Sequence, residues 1–230
     1  MTTIPGNLQH VRARIATACQ RAGRGVEEVT LLAVSKTFGA DAVRAAAAAG
    51  QRAFGENYIQ EGVEKIAALR DLGLMWHCIG PIQSNKTRLV AEHFDWVHTV
   101  DRLKIAERLS AQRPADRPPL NVCIQVNIDG GANKSGVARG DALALARAVA
   151  ALPQLKLRGL MSIPEIAPDF EAARAVHAGA RALFDQLNAD GLVLDTLSMG
   201  MSDDLEAAIA AGSTMVRVGT AIFGSRAPKP

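Results

Sequence analysis

Apolar and polar positions along this chain switch back and forth between the two-residue rhythm of a strand and the 3.6-residue rhythm of a helix. Residues 7–21 set Leu8, Val11, Ile15 and Ala18 on one stripe, which predicts an amphipathic helix. Residues 30–35 form an uncharged, mostly apolar run, and an alanine-rich helix over 41–49 stops at Gly50. The pairing then recurs. Strands are predicted over 52–55, 74–79, 96–100, 121–128, 156–163, 192–199 and 214–219. Helices are predicted over 57–69, 84–92, 102–111, 141–151, 170–189 and 203–211. The clearest strand is 121–128, where Val122, Ile124, Val126 and Ile128 alternate with Asn121, Cys123, Gln125 and Asn127.

Strands separated by helices imply parallel pairing. Eight such units in succession predict an α/β fold, a single (β/α)8 TIM barrel with an extra N-terminal helix. A doubly wound open sheet is the main alternative, but no strand-to-helix turn carries Gly-x-Gly-x-x-Gly. No composition break divides the chain, so residues 1–230 read as one domain, with 227–230 expected to be a disordered tail.

Composition narrows the function classes. Hydrophobic residues make up 48% and charged residues 21%, an ordinary globular balance. A chain of 230 residues buries roughly 70% of its unfolded surface. The net charge of +3 comes from scattered basic residues, and aromatics are only 4%, which argues against a nucleic-acid partner. No apolar run approaches the roughly 20 residues of a membrane span. No basic segment followed by an apolar one opens the chain, so a cytoplasmic location is expected. Cys19, Cys78 and Cys123 are far apart and form no CxxC pair, as buried free thiols in a reducing compartment would. His77 and Cys78 are neighbours, but adjacent strand residues face opposite ways, so they are not read as metal ligands.

In such a barrel the chemistry sits at the C-terminal ends of the strands. Lys36 closes the run from Thr30. Burial there disfavours the charged amine, and a neutral lysine is a nucleophile that forms Schiff bases with aldehydes. The competing reading is a lysine that snorkels to water along its stem. Asn57 follows the second strand, Ser198 ends the seventh, and Arg217, Gly219 and Thr220 end the eighth. The loops after strands seven and eight often hold a phosphate, and hydroxyls with glycine backbone are suitable donors. Ser202 is the candidate N-cap of the helix that follows, and Asp203 and Asp204 must point away from any phosphate. Arg217 interrupts Val216 and Val218 in mid-strand and shares a face with Gly219. His77 reads as a hydrogen-bonded core histidine. Lysine, phosphate cup and arginine together suggest pyridoxal phosphate; without the arginine the set also suits a Schiff-base aldolase acting on a phosphorylated sugar.

The ordered motifs carry a resemblance. Ala33-Val-Ser-Lys-Thr37, Phe54-Gly-Glu-Asn-Tyr58, Trp76-His-Cys-Ile-Gly80, Lys134-Ser-Gly136, Gly159-Leu-Met161, Leu197-Ser-Met-Gly-Met-Ser202 and Val216-Arg-Val-Gly-Thr-Ala-Ile-Phe-Gly224 resemble, in this order, the pyridoxal phosphate homeostasis protein family (the YggS/PROSC family). Cys78 and Gly39 depart from that pattern where a bulkier apolar residue and a proline are common. The resemblance implies a fold like the N-terminal barrel of alanine racemase and bound pyridoxal 5′-phosphate without established turnover. Carried over, Lys36 is the Schiff-base lysine. Ser198, Gly219 and Thr220 hold the phosphate, Arg217 faces the pyridine nitrogen, and Asn57 lines the ring. Lys134 becomes an accessory lysine at the mouth.

Two function classes compete: a racemase-like enzyme of low activity, and a carrier that holds the cofactor for apo enzymes as recipients. Alanine racemases bring a tyrosine from a second, β-rich domain across a dimer interface. Here no such domain is legible and the single tyrosine is Tyr58, next to Asn57. An arginine opposite the ring nitrogen also weakens the ring as an electron sink. These features favour the carrier, and a monomer.

Overall fold

The computed structural model describes residues 3–131 and 135–225. Its strands are β1 (Thr30–Val34), β2 (Ala53–Glu56), β3 (Met75–Cys78), β4 (Trp96–Val100), β5 (Leu120–Asn127), β6 (Val137–Ala138), β7 (Leu155–Met161), β8 (Thr196–Ser198) and β9 (Met215–Val218). Eight of them close on themselves in the order β1-β2-β3-β4-β5-β7-β8-β9, every pairing parallel. Closure comes from β4 pairing with β5 and β9 with β1, where Leu32 lies opposite Arg217. The short β6, absent from the sequence expectation, pairs only with the end of β5. The expected (β/α)8 barrel is therefore what forms.

A helix follows each barrel strand: α2 (Ala40–Ala48), α3 (Ile59–Ala68), α4 (Thr87–His93), α5 (Leu103–Gln112), α6 (Ala142–Ala150), α7 (Phe170–Ala189), α8 (Leu205–Ala210) and α9 (Thr220–Phe223). The last is a single turn ended by Gly224 at φ 91°, too short to cover β9. That place in the ring is filled by α1 (Ile4–Arg21), which packs against α8, α9 and α2. The expected N-terminal helix is thus present in addition to those eight, and it completes the outer layer. Thr3 caps it, its side chain accepting from Gly6 N, and Pro5 sits in the first turn. Its predicted stripe of Leu8, Val11, Ile15 and Ala18 is buried, and Asn7 Nδ2 donates to Ile222 O at 2.9 Å, tying it to α9.

The period-two pattern sorts the strand side chains. Phe54, Trp76, Val97, Val122, Ile124, Leu197, Val216 and Val218 face outward into one large apolar layer under the helices. Inside the barrel sit two smaller apolar groups, Leu32, Val34, Ile79 and Met215, and Trp96, Cys123 and Met161. The alternation predicted for 121–128 divides β5 in this way. Cys19, Cys78 and Cys123 are buried and free. Among the described residues, no helix is long and apolar enough to cross a membrane.

Candidate functional site

Barrel closure brings the ends of β1, β2, β8 and β9 together around a cavity of about 230 Å³. Lys36, Asn57, Arg217, Gly219 and Thr220 all line it. Lys36 is half-buried, in a turn just past β1, rather than fully enclosed at the strand end. Asn57 sits outside the helix predicted from 57, because Tyr58 is extended and α3 begins at Ile59. Gly80 makes this possible: a Cβ there would lie 2.0 Å from Asn57 O. The buried Oδ1 of Asn57 has no protein partner. Gly219 has an ordinary negative φ, so space rather than backbone freedom explains it; a Cβ would meet Val34 O at 3.1 Å.

Ser198 is the predicted site residue that the structure sets apart. It is fully buried beneath the cavity, and its hydroxyl is engaged by protein. The reason is register: on β8 Ser198 points into the barrel below Arg217, and the loop to Met201 carries Ser202 up to the cavity wall. Ser202 does not cap α8, whose N-cap residue is Asp204. Asp204 turns away as expected, accepting from Met201 N at 2.6 Å and bonding His177 Nε2 at 2.9 Å. Asp203, by contrast, lines the cavity. Lys134 lies outside the described residues, as do residues 227–230.

Arg217 is the electrostatic centre. It is 5% exposed, its Nη1 donates to Ser198 Oγ at 2.8 Å and its Nη2 to Ser162 O at 2.9 Å. Among the described residues no carboxylate forms an ion pair with it. Burial pushes its pKa down to about 10, so it stays charged at neutral pH. A buried cation without a counter-ion is costly unless something else meets it. Guanidinium only donates, so Ser198 Oγ accepts, and its own proton is directed to His98 Nδ1, 3.0 Å away. His98 Nε2 then donates to His77 Nδ1 at 2.9 Å. This assignment gives each bond from Arg217 to His77 one donor and one acceptor. His77 is accordingly a buried, hydrogen-bonded core histidine, stacked on Trp96 at 5.2 Å.

The sequence reading passed over His98, took Ser202 only as an N-cap, and gave no role to three charged residues near Lys36: Glu56, Glu61 and Lys65. One signal existed for the last group. Lys65 falls on the buried face of α3 with Ile59 and Gly62, where a lysine needs partners. A larger cleft of about 550 Å³ lies on the outer ring between α1, α7 and α8, but its Arg14 and Arg174 are matched by Glu206 and Glu171.

Fold and cavity together define a class: a parallel (β/α)8 barrel whose mouth presents an amine, a buried guanidinium and hydroxyl-bearing loops to one small ligand. Residues 6–227 match the family model described as alanine racemase, N-terminal domain. The chain is 63% identical over 226 residues to the pyridoxal phosphate homeostasis protein of Pseudomonas aeruginosa, covering 98% of this chain and 97% of that one. The solved structure of PipY from Synechococcus elongatus without PLP superposes with TM-score 0.86 at 40% identity, covering 96% of this chain and 100% of that one. PipY with PLP bound superposes with TM-score 0.81 at 40% identity, covering 91% and 100%. The chain belongs to the pyridoxal phosphate homeostasis protein family, within the wider alanine racemase N-terminal domain family.

Proposed function

We propose that this protein binds pyridoxal 5′-phosphate in the cavity at the mouth of the barrel, and maintains the cofactor pool rather than turning over a substrate. The observation that carries the reading is Arg217, a buried cation with no carboxylate partner among the described residues, sharing one cavity with Lys36, Gly219 and Thr220. The donor set fits the cofactor part by part. Lys36 Nζ supplies an amine. Arg217 supplies a pure donor for a ring nitrogen. The hydroxyls of Thr220 and Ser202 and the backbone at Gly219 suit a phosphate; in this reading Ser202 takes the contact expected of Ser198, which instead steadies Arg217. Val34 and Ile79 offer apolar surface to a ring, and Asn57 Oδ1 an acceptor at its edge.

When bound, pyridoxal phosphate would supply an aldehyde, a group that condenses with an amine to a C=N bond with loss of one water. Lys36 would be the residue to hold that group, and Arg217, a donor with no lone pair, would leave the ring nitrogen unprotonated. Among the described residues the cavity lining contains no histidine or tyrosine to act as a second base opposite Lys36, and Tyr58 is 54% exposed. That supports a carrier over a racemase, as do relatives named for homeostasis. Apo pyridoxal phosphate enzymes are the proposed recipients, and a monomer in the cytoplasm the proposed form.

Borohydride reduction of protein mixed with pyridoxal phosphate is expected to fix one adduct on Lys36, absent from Lys36→Ala. An adduct on another residue, or none, refutes the binding. Rapid Lys36-dependent exchange of amino-acid α-protons in deuterated water refutes the carrier.

A further inference from the structure

The two residues that flank Lys36 are gripped by one buried knot of charge. Lys65, 5% exposed, donates from Nζ to Ser35 O at 2.7 Å, to Glu56 Oε1 at 2.7 Å and to Glu61 Oε1 at 2.6 Å. Three donors meet three acceptors, the arrangement of an ammonium, which leaves Lys65 no lone pair for chemistry. Ser35 Oγ adds a bond to Glu56 Oε1 at 2.5 Å. On the far side of Lys36, the same Glu61 Oε1 accepts from Thr37 N at 2.7 Å. Thr37 has φ 69°, the left-handed region that a β-branched residue avoids. The carbonyl before Lys36 and the amide after it are therefore both tied to α3, and the strained residue is one of the tied ones.

We propose that Glu61 and Lys65 are positioning residues that hold the 35–37 turn in its left-handed form, and so aim the Lys36 amine into the cavity. Neither lines the cavity. Glu61 holds the strained amide directly, and Lys65 orients Glu61. The proposal rests on the reading of Lys36 as the amine that bonds the cofactor. Strain of this kind persists only where the surroundings enforce it. Without Glu61, Thr37 relaxes toward negative φ and the Lys36 stem swings away.

The test separates aiming from general integrity. Pyridoxine 5′-phosphate has an alcohol in place of the aldehyde, so it reads the cavity without reading the amine. In Glu61→Ala, the equilibrium constant for the covalent adduct, followed by its yellow absorbance, is expected to fall about tenfold, the size of one left-handed residue. Affinity for pyridoxine 5′-phosphate is expected to stay within about twofold. Adding Thr37→Gly, which adopts positive φ freely, is expected to restore the adduct. An unchanged adduct constant, a parallel loss for both ligands, or no rescue by Thr37→Gly each overturns the proposal. Should Glu61→Ala fail to fold, Glu61→Gln with and without Thr37→Gly carries the comparison. Its amide accepts more weakly, the same ordering is expected at smaller size, and equal adduct constants for the two overturn the proposal. Failure of the underlying reading is distinct: wild-type protein would then form no adduct on Lys36.

Discussion

The two histidines inside the barrel make a quantitative claim about pH. His77 and His98 are 1% and 0% exposed and bond to each other at 2.9 Å. Burial lowers the pKa of His77 from 6.5 to about 3. Burial, with His77 and Arg217 nearby, holds His98 well below 6.5. Below 6.5 the unfolded chain binds protons that the native state refuses, for His77 down to about 3. Stability therefore falls as pH drops below 6.5, the sign opposite to that of a histidine paired with an acid. At pH 5 His77 lies about 1.5 units below its unfolded pKa, so it contributes a loss of ~2 kcal/mol at ~1.4 kcal/mol per unit, and His98 adds a loss of the same sign. The His77 figure depends little on how far its native pKa lies below 5. Urea unfolding at pH 7.5 and 5.0, followed by tryptophan fluorescence, measures the loss. Burial raises the carboxyl of Glu56, which stabilises the fold on acidification and offsets part of it. The clean quantity is thus the difference between wild type and His77→Phe, which keeps the stacking on Trp96. In that variant the acid-linked loss is expected to shrink by ~2 kcal/mol, whatever the variant's stability at pH 7.5. An equal loss in both proteins refutes the reasoning.

Three shorter tests follow. Gly80→Ala places a methyl 2.0 Å from Asn57 O, against backbone that cannot yield; a loss of 1–3 kcal/mol or more is expected in denaturant melts, roughly the cost of overpacking, with weaker pyridoxine 5′-phosphate binding. Arg217→Met removes a buried cation that burial disfavours; melts are expected to shift by no more than about 1 kcal/mol while pyridoxine 5′-phosphate affinity drops at least about tenfold by calorimetry. A large stability loss with affinity intact would show that the arginine serves the fold. Leu8→Ala, at 0% exposure on the helix that completes the ring, is expected to cost about 2–5 kcal/mol in urea melts, and a surface-like loss under about 0.5 kcal/mol would refute that role for α1.

What the amino-acid order determined by itself is everything governed by local period. Alternation along 121–128, the stripe of Leu8, Val11, Ile15 and Ala18, and the repeating strand-helix units needed no distant contact to be read, because side-chain direction follows from backbone geometry within each element. The positions of Lys36, Asn57, Arg217, Gly219 and Thr220 at strand ends were legible for the same reason, and the topology of a parallel barrel puts such ends in one place. Other features depend on how the barrel closes. Ser198 and Ser202 are alike in sequence, yet strand register buries the first under Arg217 and the β8–α8 loop lifts the second to the cavity. The eighth helical place goes to α1 because α9 is one turn long, a vacancy visible only once β9 meets β1. The chain from Arg217 through Ser198 and His98 to His77 joins four strands, and the grip of Glu61 and Lys65 on the turn at Lys36 joins α3 to the end of β1. Those contacts span 19 to 100 residues of sequence, so no local pattern could encode them; packing in three dimensions decided which polar groups would meet.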